Sequence, residues 1–250
     1  MSGTTRPDFH APRPPLDIRL TVLSPVPCPY LPDRIETIRA VMTSSIDGDT
    51  YRAFMDAGFR RSGKMLYQPV CEGCRECIPL RVDVNAFAMS PSQKRCWKRN
   101  SDLVVEVGRP ELTDEKHALY VRYVKEWHGK PEEADRDAMY SFLYDSPTDT
   151  IEFTYRDPAG QLLAVGIGDL SSRTLSSVYF YFDPGNARRS LGTFGALHEI
   201  GWCRQRGLSH YYLGFWVRDC GAMSYKSTFR PFETMQADGS WKNAVSGCQI

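Results

Sequence analysis

From Ile151 onward apolar and polar residues alternate with the period of two that strands require. The runs IEFTYRD, LLAVGIGDLS and LSSVYFYFDP predict three consecutive strands, the first two joined through a PAG turn. A helical period follows over about 191–206. Ala196, Leu197, Ile200 and Cys203 share one face there, with His198, Trp202, Gln205 and Arg206 on the other. Gly207 stops this helix, HYYLGFWV predicts one more strand, and a last helical turn lies near Met223–Thr228. Earlier signals are shorter. Residues 49–57 predict a helix ended by Gly58, and MLYQPV, IPLRVDV and LVVEV predict strands. Ser90 and Pro91 open a basic helix reaching about Arg99. Thr113 caps a helix with Asp114 and Glu115 in its first turn and an apolar stripe of Tyr120, Tyr123, Val124 and Trp127; a second helix covers about 135–144. The fold class is therefore α+β, a mixed sheet with helices against it. Residues 1–15, rich in proline and without a period, read as a flexible tail. An N-terminal subdomain over 16–110 and a larger domain over 111–250 follow.

Composition changes this picture only in part. Of 250 residues, 42% are apolar and 24% charged, which excludes a disordered or fibrous chain. No apolar run approaches the roughly 18 residues of a membrane span, and the N-terminus lacks the apolar stretch of a secretory leader. The expectation is a cytoplasmic monomer with no membrane partner, its eight cysteines reduced or bound to metal. The formal net charge of +1 hides a polarity. Residues 58–100 carry nine Lys/Arg against three acids and residues 185–230 seven against two, while 101–160 carry fourteen acids against seven bases. Two basic stretches around an acidic one suit a protein that holds an anionic polymer on one side.

Two local patterns carry chemistry. Cys71-Glu-Gly-Cys74-Arg-Glu-Cys77 holds overlapping C-x-x-C spacings, and Cys28 could supply a fourth thiolate, so a zinc or iron–sulfur knuckle is one reading and a metal-free group of thiols the other. In YFDPGNARRSLGTF, Arg188, Arg189, Ser190 and Gly192 stand between a strand and a helix start, where backbone amides and arginines make an anion seat. The strand order and this loop resemble the GCN5-related N-acyltransferase (GNAT) fold.

The stretch GFRRSGKMLYQPVCEGCRECIPLRVDV resembles the N-terminal signature of arginyl-tRNA–protein transferases. VYFYFDP, RRSLGTF, YYLGFWV and MSYKSTFRPFE resemble their ordered C-terminal blocks, over roughly residues 25–235. The compact length is similar to the bacterial aspartate/glutamate leucyltransferase branch. One block departs: Ala222 stands where the family usually has lysine, although Lys226 and Arg230 follow in place.

The resemblance implies transfer of leucine, or alternatively arginine, from an aminoacyl-tRNA to the N-terminal α-amine of proteins starting with Asp or Glu, marking them for degradation. No cofactor is required for that transfer, because the donor ester is already activated. Orientation and oxyanion stabilisation are what the protein must add. Asp183, Tyr179 and Tyr181 are candidates for moving the surplus proton. Arg81, Arg60, Arg61 and Lys64 are candidates for pairing the acceptor's carboxylate, a contact that rejects other acceptors by a factor on the order of 10⁴. Arg188, Arg189, Ser190, Gly192, Lys226, Arg230, Lys94 and Lys98 are candidates for the donor RNA. An acyl-CoA-dependent N-acetyltransferase would share the loop but need no cysteine knuckle; a non-catalytic RNA-binding knuckle protein would leave the C-terminal blocks unexplained.

Overall fold

The computed structural model describes residues 18–244, and the expected tail over 1–15 lies outside them. The chain runs β1 (Thr21–Val22), β2 (Val26–Pro27), β3 (Ile35–Glu36), β4 (Ile38–Met42), α1 (Gly48–Asp56), β5 (Arg60–Ser62), β6 (Met65–Pro69), β7 (Ile78–Asp83), α2 (Pro91–Arg99), β8 (Val104–Gly108) and α3 (Asp114–Arg122). It continues through α4 (Arg136–Met139), β9 (Thr150–Arg156), β10 (Leu162–Leu170), β11 (Thr174–Phe182), α5 (Leu191–Gln205), β12 (His210–Trp216), β13 (Glu233–Met235) and β14 (Trp241–Asn243). Every strand and helix expected from periodicity is present. Their ends follow the caps: Asp47 accepts from Asp49 and Thr50 amides at α1, and Ser90 with Gln93 closes a reciprocal capping box at α2.

A mixed eight-stranded sheet, in the order β14-β13-β7-β12-β11-β10-β9-β8, organises the molecule. Both β7 and β8 belong to this sheet, so the boundary expected at residue 110 does not separate two sheets. What stands apart is a small sheet, β1-β4-β6-β5, packed with α1 on one face of the large one. Successive residues of a strand point to opposite faces. Phe180 and Tyr211 accordingly meet α5, while Tyr181 meets Tyr120 of α3 and Tyr212 meets Asp56 of α1. Gly195 lets α5 sit close to the sheet: a Cβ there would stand 2.1 Å from the Phe180 ring. The α3 stripe is buried at Leu119, Tyr120, Tyr123 and Val124, but Trp127 is 52% exposed because a π-turn over Tyr123–Trp127 rotates it off the stripe. Among the described residues no helix is long and apolar enough to cross a membrane.

Candidate functional site

The one parallel pairing of the large sheet is brief. β11 and β12 pair only at Thr174–Ser176 against His210–Tyr212. β12 keeps pairing with β7 through a register shift between Tyr212 and Gly214, while β11 stays with β10. Beyond Ser176 the two strands therefore part, and their backbones no longer pair with each other across the gap. Gly214, with φ at +87°, makes the bend, and this bulge ends the strict alternation expected along HYYLGFWV.

Arg60 enters this splay from β5. Its guanidinium donates to Ser176 Oγ at 2.9 Å and to the Ser177 carbonyl, and a Cβ on residue 214 would come within 3.2 Å of it. Both partners are neutral. Lys226, half-buried in the turn after β12, donates Nζ to the Phe215 carbonyl at 2.7 Å. Burial, and then the Arg60 charge, bring its pKa from the ordinary lysine value down to about 7. Tyr30 and Tyr67 complete the wall; burial raises both phenols, with the Arg60 guanidinium pulling the other way. Two cations held together by neutral partners are arranged for an anion.

Of the other acceptor candidates, two are occupied from within and one lies outside the splay. Arg61 is fully buried, its Nε 2.6 Å from Asp169, whose carboxylate also accepts from Tyr51 and Thr150 at 2.7 Å. It fastens the small sheet to β10 and cannot reach a substrate. Arg81 pairs with Asp56 at 2.7 Å and Glu233 at 2.6 Å and lies 4.3 Å over the Trp241 ring. The carboxylates expected from a substrate are supplied by the chain itself. Lys64 pairs with Asp145 at 2.9 Å on the surface.

The proton-transfer candidates separate in the same way. Tyr181 is wholly buried, with its hydroxyl 3.1 Å from that of Tyr144, and is core. Asp183 is buried and caps the following turn, accepting from the Gly185 amide and the Asn186 side chain, with Arg122 at 3.6 Å. Only Tyr179 keeps a partly exposed ring, among Tyr120, Tyr123 and Phe142; burial raises its phenol far above the ordinary value, so it stays protonated.

Of the donor candidates, Lys226 lies at the splay, whereas Arg188, Arg189, Ser190, Gly192, Lys94 and Lys98 gather around the start of α5. Ser190 takes a left-handed conformation (φ +56°) there without a side-chain cap bond, and Gly192 faces open space. α2 packs beside it: Cys96 Sγ contacts the carbonyls of Arg189 and Ser190, and Arg99 donates to the Arg188 carbonyl at 2.5 Å. Exposed Lys94, Lys98 and Arg188 form one basic surface, while Arg189 is clamped by Asp102 through two 2.9 Å bonds. Arg230 lies over Phe232, away from that surface and beside the knuckle.

At the knuckle, Thr37 N–H donates to Cys71 Sγ at 3.4 Å. The Cys77 thiol is pushed up to about 12 by burial and then by Cys28, Cys71 and Cys74. The four thiols are thus neighbours, yet among the described residues no three Cys, His, Asp or Glu side chains converge as a ligand set.

One buried group escaped the sequence reading. Glu199, on the face of α5 that meets the sheet, accepts from Tyr211 at 2.5 Å, and burial raises its pKa to about 8. Gly166 makes its room, since a Cβ there would lie 2.5 Å from Glu199 Oε1. The glycines inside LLAVGIGDLS were the available signal. His198 is likewise no surface residue: its ring stacks on Trp97 and is wedged against Phe153 and Tyr155.

Two family models match the chain: "Arginine-tRNA-protein transferase, N terminus" over residues 26–95 and "Arginine-tRNA-protein transferase, C terminus" over 115–236. A protein of Saccharophagus degradans named aspartate/glutamate leucyltransferase is 38% identical over 220 residues, covering 87% of this chain and 93% of that one. One of the same name from Chromohalobacter salexigens is 40% identical over 237 residues, covering 92% and 94%. Among solved structures, FemX aligns at 10% identity with a TM-score of 0.46 over 76% of this chain and 68% of that one. L-PGS from Bacillus licheniformis aligns at 13% with a TM-score of 0.45 over 69% and 51%.

Proposed function

The chain belongs to the arginine-tRNA-protein transferase family, and from that premise we propose that it transfers leucine from Leu-tRNA to the N-terminal α-amine of proteins beginning with Asp or Glu. The leucyl donor is favoured over arginine by the relatives' activity, named alike in both. The observation that carries the site assignment is the pair Arg60 and Lys226, two cations with neutral partners at the β11–β12 splay. An acceptor's acidic side chain entering between them receives a bidentate guanidinium contact and an ammonium, and restores the charge balance that burial has strained.

Holding that carboxylate fixes the α-amine one side chain away from it, within the splay. The backbone of β11 beyond Ser177 pairs with no strand on that side and can hydrogen-bond an extended substrate. The donor ester needs no further activation, so rate comes from bringing amine and carbonyl to attack distance and from stabilising the oxyanion. Tyr179, kept protonated by its surroundings, can donate a hydrogen bond to that oxyanion. An α-amine of unperturbed pKa ~7.7–8.0 is partly neutral at physiological pH, so proton removal is a modest demand. Donor RNA meets the basic surfaces at its phosphates, with the salt dependence such contacts carry.

The testing experiment is transfer of labelled leucine and labelled arginine from charged tRNA onto Asp-, Glu- and Ala-initiated peptides. Leucine transfer to the first two alone is expected. Equal transfer to all three would remove the carboxylate seat from the reading.

A further inference from the structure

A broad groove of about 1330 Å³ separates the cysteine knuckle from the β13–β14 hairpin, and nothing in the acceptor site accounts for it. Its rim carries Arg39, Arg75, Arg218, Arg230 and Lys242, all exposed and from separate segments, against only Glu76 and Asp238. We infer that this groove, rather than the α2 surface alone, seats the polynucleotide part of the donor, an inference that rests on the transferase reading above.

Three features favour a nucleic acid over the acceptor polypeptide. The charged side chains of the lining are mostly cations and come from several segments, which suits a chain with one charge per nucleotide; an acceptor presents one required carboxylate, already placed at Arg60. Arg218 and Arg230 are poised over aromatic rings, with Cζ 5.6 Å from the Trp216 centroid and 5.5 Å from that of Phe232. Such flat, charged surfaces suit unstacked bases as well as phosphates. The groove also leads to the splay. Phe215 lines it and gives its carbonyl to Lys226, and the Phe215 ring meets that of Tyr67, the residue paired with Arg60 across β5 and β6. A strand end lying in the groove would bring its terminal ester toward those two cations.

The test uses Arg75→Glu and Lys242→Glu, singly and together, with Arg75→Gln and Lys242→Gln as milder partners. Affinity for an uncharged stem-loop RNA with a single-stranded 3′ end is followed by fluorescence anisotropy between about 50 and 200 mM salt. The double reversal is expected to weaken binding at least tenfold at low salt and to flatten the plot of log affinity against log salt by about two units. Thermal melting establishes that each variant is folded. Unchanged affinity and slope overturn the inference. So does a raised KM for an Asp-initiated peptide with RNA affinity intact, which would give the groove to the acceptor. Wild-type protein that binds this RNA in the expected manner but transfers no leucine would instead sink the transferase reading and leave the groove assignment standing.

Discussion

Burial and the neighbouring Arg60 together govern the charge of Lys226: its half-buried ammonium, disfavoured first by desolvation, is pressed further by the guanidinium, and its pKa falls to about 7. The guanidinium's own hydrogen bonds go to a serine hydroxyl and a carbonyl. The strain between them is relieved by an anion, which is how the site would recognise one.

Arg60→Met should therefore cost acidic acceptors far more than neutral ones. Losing a paired, desolvated charge contact costs about 2–5 kcal/mol, or roughly 30- to several thousand-fold in kcat/KM. Measured on Asp- and Ala-initiated peptides, the preference for Asp should collapse while affinity for tRNA is retained. A preserved Asp/Ala ratio would move the carboxylate seat elsewhere.

Lys226 gives the pH profile its sign. Below about 7 the ammonium is charged and can pair the acceptor; above it the free enzyme loses that charge. The reactive α-amine runs oppositely, becoming neutral as pH rises toward ~8. kcat/KM for an Asp-initiated peptide should consequently be bell-shaped, and Lys226→Arg should extend the alkaline limb upward, because guanidinium does not titrate there. A limb unaffected by that substitution would mean another group titrates.

Much of this architecture was legible beforehand because strand and helix periods are local. The three alternating runs, the capping Ser90 and Thr113, and the helix ended at Gly207 all stand where the pattern put them. Partnership is not local. GFRRSG shows two adjacent arginines, and only the strand's alternation on folding sends Arg61 into the core against Asp169 while Arg60 faces the splay. Arg81 and Asp183 carried the right chemistry but were satisfied by Glu233, Asp56 and a turn's own amides, residues far away or too near to be recognised as competitors. Glu199 stands on the helix face that meets the sheet, and the glycine that accommodates it lies in a separate strand, so nothing in its own stretch of sequence marks it as buried.

Arg61→Met should test the fastening role assigned here. It strands Asp169, with Tyr51 and Thr150 as remaining donors, in a fully buried position. Removing one partner of a buried pair costs about 3–5 kcal/mol. Urea unfolding should show a loss of that size in the variant. A loss below about 1 kcal/mol would mean the pair is not what joins the small sheet to β10.

Glu199 makes a separate prediction about stability. Its folded pKa, about 8, lies above the ordinary carboxylate value of 4.5, so the folded protein holds a proton there that the unfolded chain releases. The stability that this neutral carboxyl permits is complete below about 4.5 and is lost progressively as pH rises through 8. A single proton can contribute a slope of at most about 1.4 kcal/mol per pH unit. Glu199→Gln keeps the shape and an acceptor for Tyr211 but cannot ionise, so its stability between those limits should fall less steeply than the wild type's. Parallel urea-unfolding curves for the two proteins across that range would show that Glu199 is ionised in the fold, with some unrecognised group holding its charge.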